Sequence, residues 1–282
     1  MKAGLAQIVP VLGNLEKNLD LHLEYIERAH KEKIELLIFP ELSLTGYTLK
    51  DITEEIALDP HASPEFDKLA AASGGMSVVF GFVEQKGRGM YYNSAAFINQ
   101  RSVRHIHRKV FLPTYGMFEE GKFFAQGKSV RTFDAPFGKS GLMVCYDFLH
   151  LGACYLLFAG GAEFIIAISA APGRGMDDED RWGSSAMWEL MGESLSRFTT
   201  SFVLYCNRAG FEDGKSFAGG SFVYNPFGRL VGKAVYAESD FLICRIDPDE
   251  ITQARKKRLY LRDDRPEIIS EDLQRIIKAY ED

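Results

Sequence analysis

The sequence predicts an α/β fold in which mixed β-sheets are covered by helices. In the first half, short apolar strand-like runs alternate with helix-length amphipathic segments. In the last third, strand-like runs follow one another directly through turn residues, as in hairpins. The chain has 282 residues and is 46% hydrophobic, enough to bury a large core, so residues 1–282 are expected to form a single domain. The alternation is compatible with one sheet or two.

Residues 2–9 alternate weakly and read as a short strand. Asn14 is placed to cap a helix through about residue 33, with Leu15, Leu19, Leu23, Ile26 and Ala29 on one face. Residues 35–39 form a buried strand that stops at Pro40-Glu41. Ser63-Pro64-Glu65 opens the next helix, with serine at the cap and proline in the first turn. Ser73-Gly74-Gly75-Met76-Ser77 is the turn that ends it. A strand over 76–83 turns through Lys86-Gly87-Arg88-Gly89 into a hairpin partner over 91–98. The basic stretch 101–108 fits a solvated edge strand. Residues 141–145 and 164–168 are strands separated by a helix-length segment, and 184–198 is a long helix. Strands over 202–205, 217–224, 228–235 and 241–246 follow, then helices over 250–259 and 271–279.

The formal net charge of −6 argues against nucleic acid as the main partner. No run approaches the roughly 20 apolar residues that span a bilayer, so no membrane association is expected. Met1-Lys2-Ala3-Gly4-Leu5 enters a strand pattern at once, unlike a secretory signal. The four cysteines, Cys145, Cys154, Cys206 and Cys244, contain no C-x-x-C pair and suggest a reducing cytoplasm. Cys154, Cys206 and Cys244 read as buried, inert thiols. Neither H-E-x-x-H nor a paired Cys/His spacing appears, so no metal and no cofactor is expected. Asp177-Asp178-Glu179-Asp180 reads as a solvated loop before the long helix.

Three segments carry the chemical signal: Phe39-Pro40-Glu41-Leu42-Ser43-Leu44-Thr45-Gly46-Tyr47, Arg108-Lys109-Val110-Phe111-Leu112-Pro113 and Gly141-Leu142-Met143-Val144-Cys145-Tyr146-Asp147. Each sets a carboxylate, an ammonium or a thiol at the end of an apolar strand-like run, where reactive groups converge in α/β folds. A thiol of ordinary pKa near 8.5 is mostly protonated at neutral pH and needs a base, a cation or a helix N-terminus. Cys145 sits at a strand-to-helix elbow, where the next backbone N–H can face an oxyanion. Of the six histidines, His105 and His107 alternate along a strand as surface or packing groups. His150 points along the following helix. Glu41 is therefore the better candidate base. Taken singly, Glu41 fits an exposed loop start and Lys109 the end of a solvated edge strand.

Together the segments resemble the nitrilase, or carbon–nitrogen hydrolase, superfamily, whose Glu-Lys-Cys triad follows this chain order. Phe118-Glu119-Glu120-Gly121-Lys122-Phe123-Phe124 is similar to the family segment with a supporting glutamate, aligned with Glu120. Gly161-Ala162-Glu163-Phe164-Ile165-Ile166, Asn207-Arg208-Ala209-Gly210, Phe217-Ala218-Gly219-Gly220-Ser221 and Pro226-Phe227-Gly228 extend the resemblance. Within the superfamily the chain looks most like the glutaminase domain of glutamine-dependent NAD synthetases and stand-alone relatives. Within these 282 residues no synthetase domain is expected. Many amidase-type members continue the Cys motif with Arg-Phe-Pro-Glu; here Phe148-Leu149-His150-Leu151 follows.

The resemblance implies a four-layer α-β-β-α sandwich, with Glu41, Lys109, Cys145 and Glu120 as catalytic residues. Tyr115 and Tyr146 are expected at the substrate, Tyr146 through its backbone N–H; Tyr47 and Trp182 are further aromatic candidates. The expected activity is thiol hydrolysis of a small amide, carbamoyl or related substrate through a Cys thioester. The alternative is a glutaminase subunit supplying ammonia to a separate ligase such as an NAD synthetase. Members commonly pair, so a homodimer or higher homo-oligomer is expected, with Met187, Trp188, Leu190 and Met191 on the pairing face.

Overall fold

The computed structural model describes residues 1–175 and 183–281; the acidic run Asp177-Asp178-Glu179-Asp180 and Trp182 lie outside them. The chain begins with β1 (Lys2–Gln7) and α1 (Leu15–Lys31). Asn14 caps α1 as expected, its side-chain oxygen accepting from the Lys17 N–H at 3.0 Å. The buried stripe of α1 is Asn18, Leu19, His22, Tyr25, Ile26 and Ala29, with Leu15 and Leu23 at its margin. Next come β2 (Leu36–Ile38), α2 (Pro64–Ser73), β3 (Ser77–Gln85), β4 (Tyr91–Asn99) and β5 (Ser102–Arg108). Ser63 stands at the α2 cap position, yet its hydroxyl accepts from the Asp59 N–H and closes the preceding turn instead. Gly74, at φ +58°, ends α2 as the turn reading required.

The chain continues through α3 (Glu120–Phe123), β6 (Thr132–Ala135), β7 (Gly138–Val144), α4 (Leu151–Ala159), β8 (Phe164–Ser169), α5 (Gly183–Thr199) and β9 (Phe202–Asn207). It ends with β10 (Ala209–Glu212), β11 (Lys215–Ala218), β12 (Phe222–Tyr224), β13 (Leu230–Lys233), β14 (Asp240–Arg245), α6 (Asp249–Lys257), α7 (Tyr260–Asp263) and α8 (Pro266–Glu281). The strand expected over 217–224 is two strands. Gly219 and Gly220 adopt φ of +62° and +65°, outside extended geometry, and break it. The piece before the break pairs with β10 in a separate hairpin; the piece after it joins a main sheet. The last helix starts five residues before the expected 271.

There are two six-stranded sheets, ordered β14-β1-β2-β3-β4-β5 and β13-β12-β9-β8-β7-β6. In each, the central three strands are parallel (β1-β2-β3 and β7-β8-β9) and the flanking pairs are antiparallel. Helices α1 and α2 bury Leu19, Ile26, Phe66 and Leu69 against Phe39, Phe80 and Phe82 of the first sheet. A second continuous core joins Leu5, Ile38, Val79 and Phe97 of that sheet to Ile165 and Val203 of the other, and to Trp188 and Leu195 of α5. The layers are therefore α-β-β-α, as expected. Trp188 belongs to this core, stacked over Tyr205 at 5.3 Å, and not to an outer pairing face. Met187 and Leu190 are exposed. Among the described residues no helix is long and apolar enough to cross a membrane.

His22 pins the first sheet to the loop after β2. Its Nδ1–H donates to the Asn18 carbonyl at 2.7 Å, leaving Nε2 to accept from the Ser43 hydroxyl at 2.9 Å; the ring stacks on Phe39 at 4.0 Å. This neutral imidazole has both nitrogens satisfied and no access to water, and burial pushes its pKa down to about 4. The unfolded chain takes up that proton near pH 6.5, so it binds more protons than the folded chain between the two values. Stability contributed by neutral His22 is therefore complete above pH 6.5 and falls by roughly 3 kcal/mol as pH drops toward 4. Chemical denaturation at pH 7 and pH 4.5 will show this loss in the wild type and a smaller one in His22→Gln. Equal pH slopes in the two proteins would refute it.

Candidate active site

Glu41, Lys109 and Cys145 each lie just past the C-terminal end of a strand, and tertiary structure brings them together. The Glu41 loop packs so tightly on β3 that a Cβ at Gly81 would stand 2.2 Å from the Leu42 nitrogen and 2.8 Å from the Glu41 backbone. Leu42 takes φ +48° and turns the chain back, so that the Leu44 N–H donates to the Gly81 carbonyl at 3.1 Å. Lys109 follows β5 directly, its N–H on the Asn93 carbonyl at 2.9 Å. Cys145 has φ +46°, a left-handed conformation that costs a non-glycine residue energy and holds the thiol at a sharp elbow.

The Lys109 ammonium is the hub. Its Nζ donates to Glu41 Oε1 at 2.8 Å and to Glu120 Oε1 at 2.7 Å, and all three side chains are almost fully buried. Burial opposes its charge, but the two carboxylates outweigh that and raise its pKa above the ordinary lysine value. Burial, and next to it the charge of Glu41, pushes the Glu120 carboxyl up, with Lys109 pulling the other way. Glu120 Oε1 also accepts from the Tyr47 hydroxyl at 2.5 Å, while its Oε2 has no donor among the described residues.

Glu41 accepts from three donors: Lys109, Asn93 Nδ2 at 2.7 Å, and the backbone N–H of Ala170, just past β8, at 2.7 Å. A carboxylate offers about four lone-pair sites, so about one remains for a further proton donor. Cys145 borders this network and feels Glu41, Lys109 and Glu120. Burial raises its pKa first and Glu41 adds to it; Lys109 and the nearby Ser169 hydroxyl offset part. Ser169 faces Cys145 and Tyr205, although its hydroxyl completes no well-aligned hydrogen bond. The raised pKa keeps the thiol protonated at neutral pH.

Asp147 ties two of the motifs together. Its Oδ1 accepts from the N–H groups of Val110 and Phe111 at 3.0 and 2.9 Å, and its Oδ2 from Val144 N–H at 3.2 Å and His107 Nε2 at 2.8 Å. Of the surface and packing readings, the structure gives His107 the second: it is a buried partner of the cysteine elbow. His150 stacks on Phe111 at 3.6 Å and makes no hydrogen bond to Cys145. A second tie runs from the late hairpin. Arg208, fully buried over the Phe217 ring at 4.0 Å, donates to Glu212 Oε2 at 2.6 Å. Glu212 in turn accepts from the Tyr47 and Thr48 N–H groups at 3.0 and 2.7 Å. Asn93, Glu212 and the role of Asp147 escaped sequence reading. Asp147 was visible inside the cysteine motif, and Arg208 just after the apolar run Phe202-Val203-Leu204-Tyr205-Cys206 was the signal for the second tie.

A cavity of about 140 Å³ opens over Cys145, walled by Pro113, Tyr115, Phe118, Tyr146, Arg174 and Trp188. Tyr115 and Tyr146 both line this cavity, with ring centroids 5.7 Å apart. Tyr47 serves the Glu120 network and is absent from this wall.

Known proteins match this chain. The carbon–nitrogen hydrolase family matches residues 2–256, and the chain belongs to that family. The glutamine-dependent NAD(+) synthetase of Acinetobacter baylyi is 28% identical over 258 residues, covering 92% of this chain and 46% of that protein. This chain therefore spans under half the length of that synthetase. A protein of Schizosaccharomyces pombe named "probable nitrilase" is 26% identical over 275 residues, covering 94% of this chain and 96% of its own length. The carbon–nitrogen hydrolase of Helicobacter pylori has a similar structure, with a TM-score of 0.84 at 25% identity over 97% of this chain and 98% of its own.

Removing Glu212 would leave the Arg208 guanidinium buried and unpaired and free two N–H groups of the Tyr47 loop. Glu212→Ala is expected to lower unfolding free energy by roughly 3–5 kcal/mol. Glu27→Ala, which breaks an exposed helical pair with Lys31, should leave the unfolding midpoint almost unchanged. Urea unfolding of both variants compares them; a Glu212→Ala loss as small as the surface one would show that the clamp contributes little.

Proposed function

We propose that this member of the carbon–nitrogen hydrolase family cleaves a non-peptide carbon–nitrogen bond of a small amide, carbamoyl or related substrate through a Cys145 thioester. One observation carries the reading: a buried ammonium shared by two carboxylates beside a buried, protonated thiol at the floor of a small pocket. Glu41 takes the thiol proton as Cys145 sulfur attacks the substrate carbon. The carbonyl electrons move onto oxygen, where Lys109 Nζ and the Tyr146 backbone N–H hold the negative charge. The carbon–nitrogen bond then breaks and Glu41 passes its proton to the leaving nitrogen, so ammonia or an amine departs neutral. Water attacks the thioester and gives Glu41 a proton, which returns to sulfur as the acid leaves. Glu120 holds Lys109 in place through their ion pair.

A second reading is supported by Arg174, a guanidinium in the wall of the pocket, 5.8 Å from the Phe118 ring centroid. A cation there suits an amide that carries a carboxylate, as glutamine does, and the synthetase relatives are named for glutamine dependence. Pairing of two copies also belongs to the proposal. Leu151 of α4 and Met187, Leu190 and Phe198 of α5 are exposed apolar side chains on neighbouring helices, a surface that a second copy would cover.

Intact-mass measurement with a panel of small amides, glutamine among them, is expected to trap an acyl adduct on Cys145. Cys145→Ala should abolish adduct and turnover, and Lys109→Ala should slow turnover about 100- to 1000-fold. Glu41→Gln separates two roles. Loss of a nearby negative charge alone would lower the thiol pKa and speed its alkylation by iodoacetamide, whereas loss of a base slows it. Slower alkylation is expected; faster alkylation, or turnover surviving in Cys145→Ala, would sink the mechanism. Glutamine as the sole substrate would favour the second reading. Sedimentation equilibrium is expected to give twice the chain mass, and a monomer at all concentrations would reject pairing.

A further inference from the structure

A second and larger cavity, of about 720 Å³, lies along β5 on the far side of the strand end that delivers Lys109. β5 is the terminal strand of its sheet, and the segment 126–132 forms the opposite wall. The chain as a whole is acidic, at −6, yet this lining holds four permanent cations, Lys86, Arg108, Lys128 and Arg131, and no carboxylate. Arg108 is held by Glu84, its Nε 2.8 Å from Oε2, and lies over Tyr92 at 5.0 Å. The other three form no ion pair among the described residues. His105, stacked on Phe133 at 4.3 Å, reports the local potential. Burial first, then the charges of His107 and Arg131, push its pKa down to about 4.

Like charges gathered in one concave surface repel each other, and walls of low dielectric concentrate their field. A ligand that relieves the repulsion must bring more than one negative charge in a compact group. Phosphates suit this: arginine pairs with them bidentately, and lysine neutralises them as a point charge. The volume lies within the range of small-molecule sites. We propose that this groove is a binding site for a small polyphosphate, either free or carried by a nucleotide. It is separate from the pocket over Cys145 and shares no lining residue with it.

The test is calorimetry on the full chain at low ionic strength with inorganic triphosphate, ATP and adenosine, followed by NMR titration of His105. Triphosphate and ATP are expected to bind, adenosine alone is not, and the His105 pKa should rise on binding as anionic charge enters the groove. Equal affinities would mean that the phosphates alone are read; tighter ATP would add a contact to the nucleoside. The exposed pair Lys128→Glu/Arg131→Glu should weaken binding about 100-fold, roughly tenfold per reversed charge. The proposal is overturned if neither phosphate compound binds, if adenosine binds as well as ATP, or if the double charge reversal changes nothing. Hydrolytic activity enters none of these readouts, so the outcome is independent of the reaction proposed for Cys145.

Discussion

The burial of one lysine ammonium organises the centre of this molecule. Lys109 has almost no contact with solvent, and an isolated charge there would cost several kcal/mol. Glu41 and Glu120 make the position tolerable, and in return the ammonium lets two carboxylates share one small volume. None of the three can move far without leaving a charge unpaired in an apolar surround. This mutual dependence holds the three side chains in one arrangement.

The frame around the triad consists mostly of backbone groups held by buried carboxylates. Asp147 gathers N–H groups from the lysine loop and from the end of β7, so the elbow of Cys145 and the turn after Lys109 are one unit. Glu212 does the same for the Tyr47 loop and reaches Glu120 through the Tyr47 hydroxyl. Each hydrogen bond of a charged group to a buried N–H is stronger than a neutral one and also satisfies a donor that water cannot reach. Energy of this kind supports the left-handed backbone at Leu42 and Cys145.

The two cavities divide the charge of the chain. Over Cys145 the walls are mainly aromatic and apolar with Arg174 at one side. Along β5 the walls are cationic and polar. Alternation along a strand explains how one short stretch serves both: Arg108 and Lys109 point to opposite sides, one toward Glu84 and the groove, the other toward Glu41 and the thiol.

Local sequence determined most of the strands, though not β6 and β10, most helix limits, and the positions of Glu41, Lys109 and Cys145 at strand ends. Hydrophobic period, caps and turn residues act within a few neighbours, so they are readable in one dimension. The break at Gly219 and Gly220 was not readable, because glycine in a strand pattern permits either continuity or a change of sheet, and pairing partners far along the chain decide which. The same limit hid Asn93, Asp147 and Glu212 as supports, and it left His107 between a surface and a packing reading when its partner was Asp147, just past β7 of the other sheet. Only tertiary structure decided that Arg208 and Glu212 are buried together, that Ala170 offers its N–H to Glu41, and that one thiol shares a cleft with an ammonium. Burial and charge pairing depend on which distant segments pack together, and no local pattern in the chain encodes that alone.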